Sequence, residues 1–366
     1  MDDLHALAAL LSPVRDAPPG EGILTASQVA AARDHGIGPL LYNSLHATGE
    51  WSRQSAATKR VLGELAARAA LVEQLRTSHL CRVIEALRHA NVQPLLFKGT
   101  ALAHRHYPEP WLRPRVDTDL LIKREDERAV AQIFEQLDLV RAARPRGEHV
   151  THQQTYQATV DGVVHEYDVH WKMWDPQVFS DAFTYDELAA ASVPLPALGG
   201  AAAAGDVHAL VIACVHRVAH HFDARRLLWV YDIDAVARKL TPSHWNAVAA
   251  LVADKRLRSV CARGLALAVE YFHSPVPAAM MAELSAAADD EPAAAYLGER
   301  LRRVDILRSD LQALGWRGRA ALLREHLFPE PSYILRSYGR TERVLLPALY
   351  LHRIVRGAAA WFRPLR

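Results

Sequence analysis

The chain has 366 residues, half of them apolar and 23% charged, an ordinary globular composition with room for two or three domains. A formal net charge of +2 excludes a global electrostatic argument for nucleic acid or acidic substrates. Three widely separated cysteines, Cys81, Cys214 and Cys261, argue for a reducing compartment and against a disulfide framework or structural zinc. The acidic start is unlike a secretory signal. The most apolar stretch, residues 344–362, is broken by Pro347, Arg353 and Arg356, short of the roughly 18 to 20 residues a bilayer span needs. These features read as a cytoplasmic protein without a transmembrane segment.

Residues 1–90 carry Ala, Leu and Arg at helical spacing, interrupted by Pro18, Pro19 and Gly20, and read as a helical lead-in. At Val92 the character changes. Pro94, Leu95, Leu96 and Phe97 form a short apolar run, closed by Lys98, Gly99 and Thr100, which predicts a buried strand, a turn, and a helix over 101–106. After a proline-bearing loop, residues 116–122 alternate and predict a strand with one polar edge. Residues 124–137 follow as a helix with Ala129, Ile133, Phe134 and Leu137 on one face. Segments 155–160 and 163–171 flank Asp161 and Gly162, the strongest short-range hairpin signal. Beyond Trp174 no further strand is expected. Residues 193–205, with the Ala201 to Ala204 run, read as a linker, and 206–240 as helix, with helical patterns to the end. The predicted division is thus 1–90 helical lead-in, 91–192 catalytic core and 193–366 mainly helical.

Acids two apart recur at Asp117/Asp119, Glu125/Glu127, Glu166/Asp168 and Asp232/Asp234, so the spacing alone says little. On a strand, i and i+2 share a face about 6.6 Å apart; on a helix they diverge by roughly 200°. Asp117 and Asp119 therefore converge, whereas Asp232 and Asp234, in a helical context, do not. Glu125 and Glu127 are first-turn dipole partners. In the second hairpin strand Glu166, Asp168 and His170 face one way. Acids stacked on neighbouring strands need a cation between them, and a pair of Mg²⁺ ions, or Mn²⁺, answers that need through carboxylate and phosphate oxygens. Gly99 admits close backbone approach, the Thr100 hydroxyl and helix amides suit phosphate oxygens, Lys98 adds charge, and Arg113 and Arg115 are placed to clamp a triphosphate.

The run Phe97 to Thr100, the strand with Asp117 and Asp119, and the segment Tyr167, Asp168, Val169, His170 and Trp171 resemble successive motifs of the DNA polymerase β-like nucleotidyltransferase superfamily. Within it they are most similar to a poorly characterised bacterial nucleotidyltransferase family. The resemblance implies an α+β fold, with a mixed-sheet core, flanking helices and helical N- and C-terminal regions. It implies Gly99 and Thr100 at the nucleotide phosphates, Asp117 and Asp119 on both metals, and Asp168 on the catalytic metal, helping to deprotonate the acceptor hydroxyl. The chain departs from the pattern in Thr100, where serine is usual, and in its long spacing, with Asp117 lying 18 residues after Gly99.

Outside these motifs, His170 reads as either a partner of the metal site or a satisfied core histidine. His216, His220 and His221 with Asp223 resemble a metal cluster, although the zinc-protease pattern is absent; packing or a place in the acceptor site is the simpler reading. Trp229 and Tyr231 read as core, or as stacking partners of a base. Residues 334–366 hold seven arginines and one acid, Glu342, which fits peripheral contact with an anionic surface or, more simply, a solvated helix face. The predicted activity is transfer of a nucleoside monophosphate, AMP from ATP, to a hydroxyl or phosphate of a small-molecule, peptide, protein or RNA acceptor, with release of pyrophosphate. The alternatives are a non-catalytic nucleotide-binding regulatory module, and a metal-dependent phosphohydrolase built on His216, His220 and His221.

Overall fold

The computed structural model describes residues 3–12, 23–142, 147–286, 291–297 and 301–365; the Pro18, Pro19 and Gly20 break lies outside them. Four helices lead the chain: α1 (Asp3–Leu11), α2 (Ala26–Asp34), α3 (Gly38–Ala47) and α4 (Ala56–His89). Thr25 opens α2 in a reciprocal capping box with Gln28, and the Ser55 side chain accepts from the Thr58 amide at the start of α4. Both satisfy amides that a helix start leaves unpaired.

The strands are β1 (Leu95–Leu96), β2 (Asp117–Leu121), β3 (Val140–Arg141), β4 (Gln153–Val160), β5 (Val163–His170), β6 (Ser192–Leu195) and β7 (Ala201–Ala204). They form one mixed sheet in the order β3-β4-β5-β2-β1-β7-β6. Between them lie α5 (Lys98–His106), α6 (Glu127–Gln136), α7 (Gln177–Ser180) and α8 (Tyr185–Ala190). The hairpin of β4 and β5 turns at Asp161 and Gly162, at φ 51° and 74°, the left-handed pair that a two-residue type I′ turn requires.

Period two divides the sheet into faces. Leu120, Tyr167 and Val169 join Leu80, Val83, Ile84 and Leu87 of α4 and Val130, Ile133 and Phe134 of α6 in one core cluster. Leu121 and Phe97 belong to a second cluster with the C-terminal helices. Each large apolar side chain so buried contributes about 1.5–3 kcal/mol. Asp117, Asp119 and Asp168 lie on the second face, so the sheet's polar stripe is turned toward those helices.

The C-terminal helices are α9 (Asp206–Ala219), α10 (Leu227–Ala237), α11 (Pro242–Asp254), α12 (Arg258–Phe272), α13 (Ala278–Ala286), α14 (Arg303–Ala313), α15 (Trp316–Leu327), α16 (Pro331–Ser337) and α17 (Leu346–Trp361). Three sequence expectations are corrected here. Strands do not stop at Trp174, and the Ala-rich run is not a linker: Ala201 to Ala204 is β7, paired parallel with β1 and antiparallel with β6. Alanine has little strand preference, but Ala201, Ala203 and Ala204 are buried, and close packing there overrides propensity. Residues 206–240 are two helices, because Phe222 and Asp223 take positive φ and buried Asp223 pairs with Arg217 and Arg263.

The basic C-terminal stretch includes α16 and α17. No residue of α17 is buried, and Leu351, Val355 and Phe362 are exposed. With α14 and α15, α17 borders an apolar cavity of about 640 Å³. No helix among the described residues is long and apolar enough to cross a membrane.

Candidate active site

Parallel pairing of β2 with β5 sets Asp119 opposite Asp168 and Asp117 opposite Glu166. Side chains paired in this way share a face, so the three carboxylates read from the sequence converge. Asp117, Glu166 and Asp168 each offer an oxygen within 4.8 Å of the others, and Asp119, Asp168 and His170 form a second such group. The donors are mainly hard carboxylate oxygens, a set that suits Mg²⁺ or Mn²⁺.

Each carboxylate is held differently. Asp119 Oδ1 accepts from Lys98 Nζ at 2.9 Å and from His170 Nε2 at 3.0 Å. Burial alone would raise its pKa, but Lys98 and His170 outweigh that cost and hold the carboxyl far below its ordinary value. Asp168 accepts from Gln153 Nε2 at 2.9 Å and from the Thr155 hydroxyl, both on the adjoining β4. The carboxylate of Asp117 makes no hydrogen bond among the described residues. Its burial, together with the charges of Asp119 and Asp168, pushes it up to about 6 against the opposing pull of Lys98 and Arg113. His170 is thereby placed: fully buried, it orients Asp119, as residues behind metal ligands do.

The residues read from the sequence as a turn, Lys98 to Thr100, are instead the first residues of α5, and they supply the opposite charge. Lys98 is at φ 53°, a left-handed conformation uncommon outside glycine, and it directs the buried ammonium onto Asp119. A Cβ on Gly99 would stand 2.6 Å from Arg113 Nη1, so glycine is needed for this close approach. Thr100 is fully buried with its hydroxyl unpartnered, and it does not line the cavity beside the carboxylates.

That cavity holds about 270 Å³ and is lined by Lys98, Gly99, Asp117, Asp119 and Asp168 on one side, and by residues of α9 and α10 on the other. Arg113 and Arg115 border it but are engaged. Arg113 makes two 2.7 Å bonds to Asp232; Arg115 grips Glu73 at 3.0 and 3.1 Å and also donates to Thr118. They tie the loop before β2 to α10 and α4. Neither pairing is visible in the sequence, since nothing local marks a helical Glu73 or Asp232 as the far end of a bridge.

His216, His220 and His221 do reach the cavity. His216 and His220 have ring centroids 5.4 Å apart, and His221 stacks on Trp229 at 3.7 Å. Burial, followed by the charge of Lys98, pushes all three imidazoles down, His221 to about 4. Asp223 is committed to Arg217 and Arg263, and neither metal-competent group includes these histidines. The phosphohydrolase alternative thus loses its ligand set, whereas Tyr231 packs against Tyr107 and Phe272 as core.

A family model described as "Uncharacterised nucleotidyltransferase" matches residues 26–273. The match runs from α2 through α12 and so includes the sheet, the carboxylates and the histidine wall. No curated protein matches the chain.

Proposed function

We propose, from the premise that this chain belongs to the uncharacterised nucleotidyltransferase family, that it transfers a nucleoside monophosphate, AMP from ATP, to a hydroxyl or phosphate oxygen of an acceptor. The observation that carries this reading is the β2–β5 register, which sets Asp119 beside Asp168 and brings Asp117 to the same face, next to Lys98 and Gly99. Asp117, Asp119 and Asp168 would hold two Mg²⁺ ions, or Mn²⁺. When bound, they neutralise charge on the phosphate oxygens and on the leaving pyrophosphate.

The chain's own residues supply the rest. Lys98 and the backbone at Gly99 face the donor phosphates, one by charge and the other by close approach. The acceptor oxygen attacks the α-phosphorus, the bond to the β-phosphate bridging oxygen breaks, and pyrophosphate leaves with that electron pair. Asp168 takes the acceptor proton. His170 and Lys98 keep Asp119 ionised and oriented; Gln153 and Thr155 do the same for the direction of Asp168. Such catalysis is chiefly positioning and charge neutralisation.

The test is incubation with each labelled nucleoside triphosphate and Mg²⁺, wild type beside Asp117→Asn, with mass spectrometry of cell-extract components for a nucleotide adduct. The expected result is pyrophosphate and an adduct from the wild type alone. Absence of both for every triphosphate would overturn the reading.

A further inference from the structure

Four cationic side chains line the cavity, Lys98, Arg113, Arg115 and Arg226. The first three are committed to Asp119, Asp232 and Glu73. Arg226 makes no ion pair among the described residues, and its Nε is buried without a hydrogen-bond partner. The residue as a whole is half-buried, and a partly desolvated guanidinium without an acid gains from an anion that completes it.

Its position is fixed from two sides. The guanidinium lies over the Trp229 ring, 5.1 Å from the centroid, and a Cβ on Gly36 would stand 3.0 Å from Arg226 Nη2. Arg226 also precedes the first turn of α10, an 11-residue helix whose Leu228 and Trp229 line the same cavity. The positive end of the helix thus adds to the guanidinium charge. Elsewhere on the lining of the same cavity, His220 Nε2 and His216 Nδ1 are buried and unpartnered. These groups belong to the α9–α10 wall, whereas the carboxylates and Lys98 belong to the sheet side.

We propose that Arg226, with His220 and the first turn of α10, forms an oxyanion subsite that receives a phosphate group of a substrate on the wall facing the carboxylates. The inference rests on the reading of this cavity as a nucleotidyl-transfer site and adds a residue that no motif marks. Arg226 supplies the paired N–H donors that suit phosphate oxygens, and His220 adds a neutral donor. The phosphate belongs either to the donor's polyphosphate tail or to a phosphorylated acceptor.

Calorimetric titration of the full chain in EDTA separates this subsite from the metal chemistry. The probes are tripolyphosphate, ATP, adenosine and ribose 5-phosphate, against wild type, Arg226→Gln, Arg226→Lys and Asp117→Asn, with thermal melts to establish folding. The expected result is wild-type binding of a phosphate-bearing probe, weakened at least tenfold by Arg226→Gln, largely restored by Arg226→Lys and kept by Asp117→Asn. Loss confined to tripolyphosphate and ATP assigns the subsite to the donor tail; loss confined to ribose 5-phosphate assigns it to the acceptor. If Arg226→Gln fails to fold, a folded Arg226→Met variant or, failing that, His220→Ala must weaken the phosphate probes by at least threefold. No binding of any phosphate-bearing probe, or equal binding by wild type and the folded variant that lacks the Arg226 charge or the His220 ring, would overturn the subsite. A failed transfer assay with intact oxyanion binding would instead overturn the activity alone.

Discussion

A Cβ at Gly99 would meet Arg113 Nη1 at 2.6 Å, and that guanidinium is not free to swing aside, because two 2.7 Å bonds fix it to buried Asp232. Gly99→Ala must therefore either push Arg113 off its carboxylate or shift the N-terminal end of α5, which carries Lys98. The second course is softer, since Lys98 already sits at φ 53° and a helix end moves more readily than a desolvated bidentate pair. Displacement of about 1 Å at a phosphate-positioning group costs on the order of a hundredfold in rate. Gly99→Ala is expected to lower kcat/KM for the transferred nucleotide by tenfold or more with little change in Tm, read from steady-state kinetics beside thermal melts. Unchanged kinetics would mean that donor phosphates do not approach this backbone. The same scale shows what sequence made visible. Asp117 and Asp119 could be paired from strand period alone, and His170 could be placed on the face of Asp168. The partners that hold them, Gln153 and Thr155 on β4 and Lys98 across the sheet, depend on register, which no local pattern encodes.

At the scale of elements, strand β7 is the sharpest departure from the sequence reading. Four successive alanines, Ala201 to Ala204, have neither alternation nor β-branching, so they present no strand signal, and flanking prolines and glycines strengthen the look of a linker. What makes them a strand is the space available beside β1, where Ala203 is fully buried among Leu96, Leu195 and Leu198. The split between α9 and α10 was hidden for a related reason. Asp223 breaks the helix by turning back to Arg217 and reaching Arg263, 40 residues on. By contrast, the Asp161–Gly162 hairpin and the amphipathic α6 were legible, because turn chemistry and helical period are local. The β7 assignment makes a direct prediction. Ala203→Leu is expected to lower stability by about 1–3 kcal/mol through overpacking, measured by urea denaturation, whereas the same change in a solvated linker stays within about 0.5 kcal/mol. A neutral result would remove β7 from the buried sheet.

Across the whole molecule, titration of buried groups sets the response to acid. Burial pushes His79 and His106 down to about 4, and His221 likewise, with His216 and His220 well below their ordinary value. A histidine whose folded pKa is depressed binds fewer protons when folded than unfolded. Its stabilisation is therefore complete above about pH 6.5 and is lost as pH falls toward 4. Asp117 and Asp310 run the other way: burial raises both to about 6, so each favours the folded state when protonated and loses that contribution as pH rises from about 4 to 6. The histidines outnumber them, and Glu73, held low by His104 and Arg115 against burial, adds to the acid-labile side. The Tm is accordingly expected to be flat near neutrality and to fall steadily from about pH 6.5 to 4.5, followed by circular dichroism melts at constant ionic strength. His106 decides the attribution, since it is buried, its ring nitrogens make no hydrogen bond, burial outweighs the pull of Asp206 Oδ1 3.5 Å from its Nε2, and it takes no part in the site. His106→Leu should flatten the acid limb while leaving the neutral-pH Tm within a few degrees. A Tm that rises toward pH 5, or an acid limb as steep in the variant as in the wild type, would show that the imidazoles are not what the folded state holds neutral.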